Sequence, residues 1–593
     1  MISCRQLCRR QLSSNSPRPC TQGRGAGGEG MNGHSTCECH RPRRTLRSIS
    51  ETVSQFVFAL CSLLLLSGDC RGEERPNILI VFADDWGRYA SIYGQQQPGG
   101  LNDIVKTPNF DRVAREGVLF NNAFVNAPSC TPCRSSLLSG QYFWRTGKGA
   151  ILQGAEWDAA IPSFPLMLQS AGYHIGYTFK VWGPGTPADA PYGGKANEYA
   201  KQGRNFNKFS QFVSEQPEVE PGKQKLYDEV RGNFQDFLKA RPQATPFCYW
   251  FGPTNTHRKW TAGSGKKLWN IDPDSLKGKI PKDLPDVPEV REDLADYLGE
   301  VQAVDAGLGV LLDELEKTGE LDNTLIIVSG DHGIPGVPRG KCNLYDLGVE
   351  VSLAIRWPQK IPAGRILDDF VCLPDLCTTI LEAAGEKPTP AMTGRSLMPV
   401  LASTKSGLVD PTRDAVIVGR ERHVADARDG FLPYPQRAIR TKDFLYIRNF
   451  AADRWPMGSG PGYGKPSGPF GSKDDLTEDT FAAFSDMDSS PTKAWLIEHR
   501  DDPTVAPYFL MAFDRRPEEE LYDLRTDAAE LHNVAADASY AEAKEALSQR
   551  LMTVLKETND PRATSTTYDE PPFSSPVEKP GKPAGGKKKM PGN

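Results

Sequence analysis

The chain has 593 residues, 38% of them apolar and 24% charged, with 26 Phe, 18 Tyr and 10 Trp, enough to bury more than one core and too much for wholesale disorder. Seventy Lys and Arg against 75 acids leave a net charge of −5, without the strong positive field of a nucleic-acid binder. Any anionic ligand must therefore meet a local cluster of cations.

Residues 1–50 carry nine Arg, no Lys and two acids, Glu29 and Glu38, and an apolar run of 11 residues follows from Phe56 to Leu66. That run is shorter than the roughly 20 residues of a bilayer span and matches the h-region of a secretory signal. The order predicts a basic leader and signal peptide over residues 1–74, no stable membrane span, and export to a periplasmic or secreted location. Seven of the 13 cysteines fall in this leader, leaving Cys130, Cys133, Cys248, Cys342, Cys372 and Cys377. Cys372 and Cys377 are close enough in sequence to form a disulfide, although spacing does not establish the geometry.

Asn77 to Ala83 is a short, branched, apolar run that stops at Asp84-Asp85-Trp86-Gly87, as a buried strand ending in a loop does. The same grammar recurs at Tyr173–Phe179 before Lys180, Phe247–Phe251 before His257, Thr324–Ser329 before Asp331-His332, and Val351–Ile355 before Arg356. Between the third and fourth strands, Leu294, Leu298, Val301, Val304, Leu308, Leu311 and Leu315 recur at helical spacing, closed by Gly319. Buried strands alternating with helices predict an α/β protein with a large, mostly parallel sheet flanked by helices, whose ligands bind beyond the carboxyl ends of the strands. We assign this first domain, in which the chemistry is expected, to residues 75–400. Residues 401–557 read as a smaller C-terminal α+β domain: short strand-like pieces at Ala415–Gly419, Arg437–Arg440 and Phe444–Asn449, then a last helix at Ala541–Leu555. Residues 558–593, rich in Pro, Gly, Ser, Thr and Lys, are expected to form a disordered tail.

Adjacent carboxylates such as Asp84-Asp85 repel unless one is protonated or a cation lies between them. Asp331-His332 offers another oxygen and an imidazole at a second strand end, a set suited to one hard divalent ion. The segment from Ala127 to Gly140 contains Cys130-Thr131-Pro132-Cys133-Arg134 and admits three readings. It could be a thiol redox pair, half of a zinc site lacking its second half, or the Cys-x-Pro-x-Arg signature it resembles, that of the type I sulfatases. Other stretches resemble the same family in order: Asp84-Asp85-Trp86-Gly87, Thr107-Pro108-Asn109-Phe110-Asp111, Ser329-Gly330-Asp331-His332-Gly333, Lys341-Cys342-Asn343 and Glu520-Leu521-Tyr522-Asp523-Leu524.

That resemblance implies an alkaline-phosphatase-like sulfatase fold, with an antiparallel sheet in the smaller domain. It also implies a formylglycine (3-oxoalanine) made from Cys130 by a formylglycine-generating maturation enzyme, and one Ca2+ ion bound by Asp84, Asp85, Asp331, His332 and the modified Cys130. Arg134, Lys180 and Lys341 match the cations that hold formylglycine and sulfate, and His257 the histidine facing the leaving oxygen. In this picture Lys180, His257 and Lys341 touch the substrate. Two departures stand out. Trp182 occupies the place of a family histidine, and an indole cannot accept a proton, so the regenerating base would be water or another histidine such as His174. Cys133 stands where Ser or Ala is common and reads as small, buried and inert, or as a disulfide partner of Cys130.

Thr256-His257-Arg258, Tyr434 to Arg440 and Arg448-Asn449-Phe450 most resemble the heparan N-sulfatase (N-sulfoglucosamine sulfohydrolase) branch, implying a sulfated sugar substrate, N-sulfoglucosamine or a broader sulfated polysaccharide. Arg422, His423 and Arg454 are candidates to meet a sugar carboxylate or sulfate from the second domain. The alternatives are a phosphate-ester or phosphonate hydrolase of the same superfamily and an inactive glycan-binding relative. Oligomeric state is not readable from the sequence.

Overall fold

The computed structural model describes residues 75–460, 470–565, 567 and 569–577; the leader and signal read in residues 1–74 lie outside them. The strands of the first part are β1 (Asn77–Ala83), β2 (Val118–Phe120), β3 (Ala123–Phe124), β4 (His174–Phe179), β5 (Phe247–Gly252), β6 (Thr324–Gly330), β7 (Leu353–Arg356), β8 (Arg365–Leu367) and β9 (Val371–Cys372). Seven of them form one sheet in the order β4-β5-β1-β6-β7-β2-β8. Its half from β4 to β6 is parallel. β7 runs antiparallel to β6, because the link between them, residues 331–352, contains one short helix, Asp346–Val349, rather than a crossover helix.

Both faces of this sheet are covered, which is why its central strands read as unbroken apolar runs. Along β1, Ile78, Ile80 and Phe82 enter one core and Leu79, Val81 and Ala83 the other. The principal helices are α1 (Cys130–Ser139), α2 (Val219–Ala240), α3 (Pro288–Lys317) and α4 (Pro374–Ala383). Leu137 and Leu138 of α1 pack with Leu376 and Ile380 of α4 on the first face, while Leu226 and Phe234 of α2 pack with Leu298 and Leu308 of α3 on the second. α3 begins at Pro288, where a missing N–H costs nothing, and stops before Gly319, whose φ of 72° is the left-handed cap that glycine accepts.

A second, antiparallel sheet follows, formed in order by β10 (Ala415–Arg420), β11 (Gln436–Thr441), β12 (Phe444–Asn449) and β13 (Glu519–Asp523). Between β12 and β13 lies α5 (Pro491–Glu498); after β13 comes α6 (Ala541–Glu557), whose Leu547, Leu551 and Leu555 pack on Ile417, Ile439, Tyr446 and Leu521. The described residues form one compact unit, so the two sheets belong to one folded body.

The structure decides one open alternative, with Cys133 small and buried as read, and corrects one expectation. The six cysteines after the leader are all buried thiols, and neither Cys372 with Cys377 nor Cys130 with Cys133 forms a disulfide. The expected tail is folded well past residue 558. A final short helix, α7 (Pro561–Thr564), follows α6, and Asp560 accepts from Arg437 Nε at 2.5 Å. Arg562 bonds Glu421 at 2.9 and 2.5 Å, Ser575 O accepts from Arg422, and Phe573 is buried against α6. Composition misleads here because two charged side chains and one aromatic ring outweigh the surrounding Pro, Ser and Thr. Residues 578–593 lie outside the described residues.

Glu421 sits between Arg437 and Arg562 with all three side chains almost fully buried, and removing one partner of such a set strands the others. Asp560→Ala is expected to lower stability by about 3–5 kcal/mol, measured as a fall in the urea midpoint at unchanged slope; a change below about 0.5 kcal/mol would show that this segment adds nothing to the fold.

Candidate active site

At the carboxyl ends of β1 and β6 the chain delivers Asp84, Asp85, Asp331 and His332, all buried. The turn after β1 puts Asp85 at φ 53°, in the left-handed region that Asp tolerates better than most residues. Its amide donates to Asp331 Oδ1 at 2.8 Å. Tyr297 of α3 donates its hydroxyl to Asp85 O at 2.9 Å and accepts from Gly87 N at 3.1 Å, and Thr256 Oγ1 donates to Asp84 O. Neither positioning residue was signalled by the sequence, since a Tyr in an apolar helix face and a loop Thr both read as packing.

Cys130 is the first residue of α1, so the helix N-terminus presents its side chain to this carboxylate cluster. Its sulfur lies 3.4 Å from His332 Nε2 and 4.0 Å from Asp85 Oδ1. Burial, reinforced by the charge of Asp84, pushes the thiol well above its ordinary pKa. As encoded, it is a poor thiolate nucleophile and a poor redox centre. Cys133, one turn on, is likewise buried and held protonated.

Three cations thread the carboxylates. Arg134, wholly buried, donates to Asp331 Oδ2 at 2.8 Å, Asp84 Oδ1 at 3.3 Å and Lys180 O at 3.0 Å. Lys180 reaches both oxygens of Asp84, at 2.7 and 2.8 Å. Lys341 lies 3.1 Å from Asp85 Oδ2 and 3.1 Å from Asp488 Oδ2. Burial alone would raise Asp84, but Lys180 and Arg134 hold it well below the carboxylate range. Asp85 is pushed up to about 7 by burial, in spite of Lys341 and His332.

The donor set fits a divalent ion. His332 Nδ1 lies 3.2 Å from Gly333 O; a carbonyl only accepts, so Nδ1 carries the proton and the Nε2 lone pair points inward. That lone pair faces Asp85 Oδ1 at 3.3 Å and Asp331 Oδ1 at 3.5 Å. Converging acceptors of this kind repel without a cation among them, and oxygen-rich donors suit a hard one. Asp85, Cys130 and His332, and also Asp84, Cys130 and Asp331, bring potential ligand atoms within 4.8 Å of one another.

His257 Nε2 stands 3.9 Å from Asp85 Oδ2 with about a third of its side chain exposed, and Nδ1 donates to Arg258 O at 2.7 Å. Burial and the charge of Lys341 lower its pKa. It lines a cavity of about 500 Å³ shared with Asp84, Lys208 and Lys259. His423, from the second sheet's side, meets Ser129 Oγ at 2.8 Å, beside Cys130.

Other candidates fall elsewhere. Arg454 is tied to Asp569 at 2.5 Å and Pro433 O at 2.9 Å, and Arg422 to the carbonyls of Ser575, Gln153 and Phe431; both fasten loops. His174 stacks on Phe237 and meets Tyr199. Trp182 donates Nε1–H to Ser135 Oγ at 2.7 Å, bracing α1. Asp488 was missed: it arrives on an irregular loop before α5, where Asp486-Met487-Asp488 carries no periodic or motif signal.

The sulfatase family matches residues 76–386. Over 523 residues the chain is 29% identical to N-sulphoglucosamine sulphohydrolase of Homo sapiens, covering 85% of this chain and 94% of that protein. A protein solved in complex with its substrate D-glucosamine-2-N,6-O-disulfate superposes with a TM-score of 0.53 at 19% identity, over 83% of this chain and all of that one. A phosphonate monoester hydrolase of Agrobacterium radiobacter superposes with a TM-score of 0.53 at 20% identity, over 82% of this chain and 96% of that one, so the fold alone does not separate sulfur from phosphorus chemistry.

Tyr297→Phe leaves the buried Asp85 O and Gly87 N without their partner. Its expected cost is about 1–3 kcal/mol, read from urea unfolding of the metal-free protein; an unchanged midpoint would show that the Asp85 turn does not depend on it.

Proposed function

The chain belongs to the sulfatase family, whose members hydrolyse sulfuric esters, and from that premise we propose that it removes sulfate from a sulfated glycan, with an N-sulfoglucosamine-like residue as substrate. The observation that carries this reading is the convergence of Cys130, the potential metal ligands Asp84, Asp85, Asp331 and His332, and the cations Arg134, Lys180 and Lys341 at one end of the sheet. The substrate class is supported by likeness over nearly the whole chain to the human sulphohydrolase. The leader read in residues 1–74 would export the protein to where such glycans are found.

Formylglycine made from Cys130 by a maturation enzyme would supply an oxygen nucleophile that no encoded side chain provides. One calcium ion held by Asp84, Asp85, Asp331, His332 and residue 130 would draw charge from the sulfate oxygens. Lys180 and Lys341, each with an ammonium at the cluster, would hold the remaining sulfate oxygens, where charge grows as sulfur is attacked. Arg134 is fully engaged with Asp84 and Asp331 and orients them. His257, as the imidazolium with its Nδ1–H held by Arg258 O, would give a proton from Nε2 to the departing atom. Trp182 and the distant His174 leave regeneration to water or to His257 and His423.

Cys130→Ala and Cys130→Ser are expected to abolish turnover of 4-nitrophenyl sulfate and N-sulfoglucosamine while preserving the unfolding midpoint. Mass spectrometry of the peptide Ala127 to Arg134 should show an aldehyde in active protein. Preference for 4-nitrophenyl phosphate over the sulfate would favour the phosphonate-hydrolase reading, and glycan binding without turnover in fully matured protein would favour an inactive relative.

Calcium at 100 times its Kd should stabilise the protein by about 2.7 kcal/mol, seen as a raised unfolding midpoint that a chelator reverses. Asp85→Ala should lose that response. A calcium-dependent shift that survives in Asp85→Ala would place the ion elsewhere.

A further inference from the structure

Asp488 stands out because the fold works to keep it where it is. Lys493 of α5 is buried and donates to Met487 O at 2.7 Å, Phe484 O at 3.3 Å and Thr480 O at 3.4 Å, clasping the loop from within. Ser490 Oγ fastens the same loop to Gly336 O at 2.6 Å. Asp486 is held by Arg420 at 2.6 Å, Arg428 at 2.7 Å and Val424 N at 2.8 Å. Between these anchors Asp488 projects to Lys341 at 3.1 Å, its side chain 13% exposed.

A fixed carboxylate beside an anion-binding site repels the ground-state sulfate, and Lys341 already has Asp85 as a counter-ion. Lys341 and His257 Nε2 both face Asp85 Oδ2, at 3.1 and 3.9 Å, and Asp488 holds the same Lys341 ammonium, on the His257 side of the cluster. This is the side from which His257 would protonate the leaving atom. The two substrate types differ there. An ester oxygen leaves as a neutral hydroxyl. A sulfamate follows R–NH–SO3⁻ + H2O → R–NH3⁺ + SO4²⁻: the N–S bond breaks, nitrogen keeps the electron pair and gains two protons, one through His257 Nε2 and one from solvent, and the water oxygen ends in sulfate. Positive charge therefore develops on the leaving atom only when that atom is nitrogen.

We propose that Asp488 is a specificity residue that accepts a hydrogen bond from the leaving nitrogen and stabilises its developing charge, favouring N-sulfates over O-sulfates. The proposal rests on the N-sulfoglucosamine reading above and names the group that would enforce it. A charged hydrogen bond formed mainly in the transition state acts on kcat more than on KM.

The test uses full-length, matured, calcium-loaded protein with N-sulfoglucosamine and 4-nitrophenyl sulfate. Asp488→Asn keeps the shape and removes the charge; its kcat/KM on N-sulfoglucosamine is expected to fall about 10- to 100-fold, mostly in kcat, while 4-nitrophenyl sulfate stays within about threefold. Asp488→Glu, which restores the charge, should recover part of the N-sulfate activity. Equal losses on both substrates would overturn the proposal and reduce Asp488 to a positioning residue for Lys341, and no loss on either would also overturn it. Wild-type protein that cleaves 4-nitrophenyl sulfate but not N-sulfoglucosamine would overturn the N-sulfate reading itself, leaving the sulfatase assignment standing.

Discussion

Three carboxylates, Asp84, Asp85 and Asp331, are forced into one buried volume by the parallel pairing of β1 with β6, and this crowding governs everything around them. Charges taken out of water at such proximity need compensation that is both close and well aimed. Arg134 answers from α1, Lys180 from the end of β4 and Lys341 from the loop after β6, each element arriving from a different part of the chain. Asp85 still shifts upward to about 7, because burial outweighs the pull of Lys341 and His332. In the proposed reading, a divalent ion at the end of the sheet would supply the charge that such crowding calls for.

The second sheet contributes more than a support. Through His423 it touches Ser129, next to Cys130, and through the loop carrying Asp486 and Asp488 it reaches Lys341. The arginines that the second sheet and its flanking loops bring to this side of the molecule are mostly committed: Arg420 and Arg428 to Asp486, Arg437 to Glu421 and Asp560, and Arg422 to backbone carbonyls. Their guanidiniums hold loops together.

Much of this was legible in the sequence for a physical reason. β1, β4, β5 and β6 are buried on both faces, so they appear as uninterrupted apolar runs, and the polar residues that end them, Asp84, Lys180, His257 and Asp331, are where an α/β sheet places its chemistry. α3 announces itself by its spacing and by Gly319. What stayed hidden shares the opposite property. β2, β3, β8 and β9 have only two or three residues each, too short for a period to register. Asp488 is placed by a clasped loop whose anchors, Lys493 and Ser490, look like surface residues in a string of letters. Arg422 and Arg454 carry the same side chain as a ligand-binding arginine, and only the structure reveals that carbonyls and Asp569 occupy them.

The bonds joining Asp560 and Arg562 to Arg437 and Glu421 set an order of events during synthesis. These two partners follow Arg437 and Glu421 by more than 120 residues, so the growing chain must carry that pair with only each other as charged partners until α7 has been made. Cys130 is only 2% exposed once folding is complete. An enzyme that rewrites this thiol would therefore have to reach it before the molecule closes.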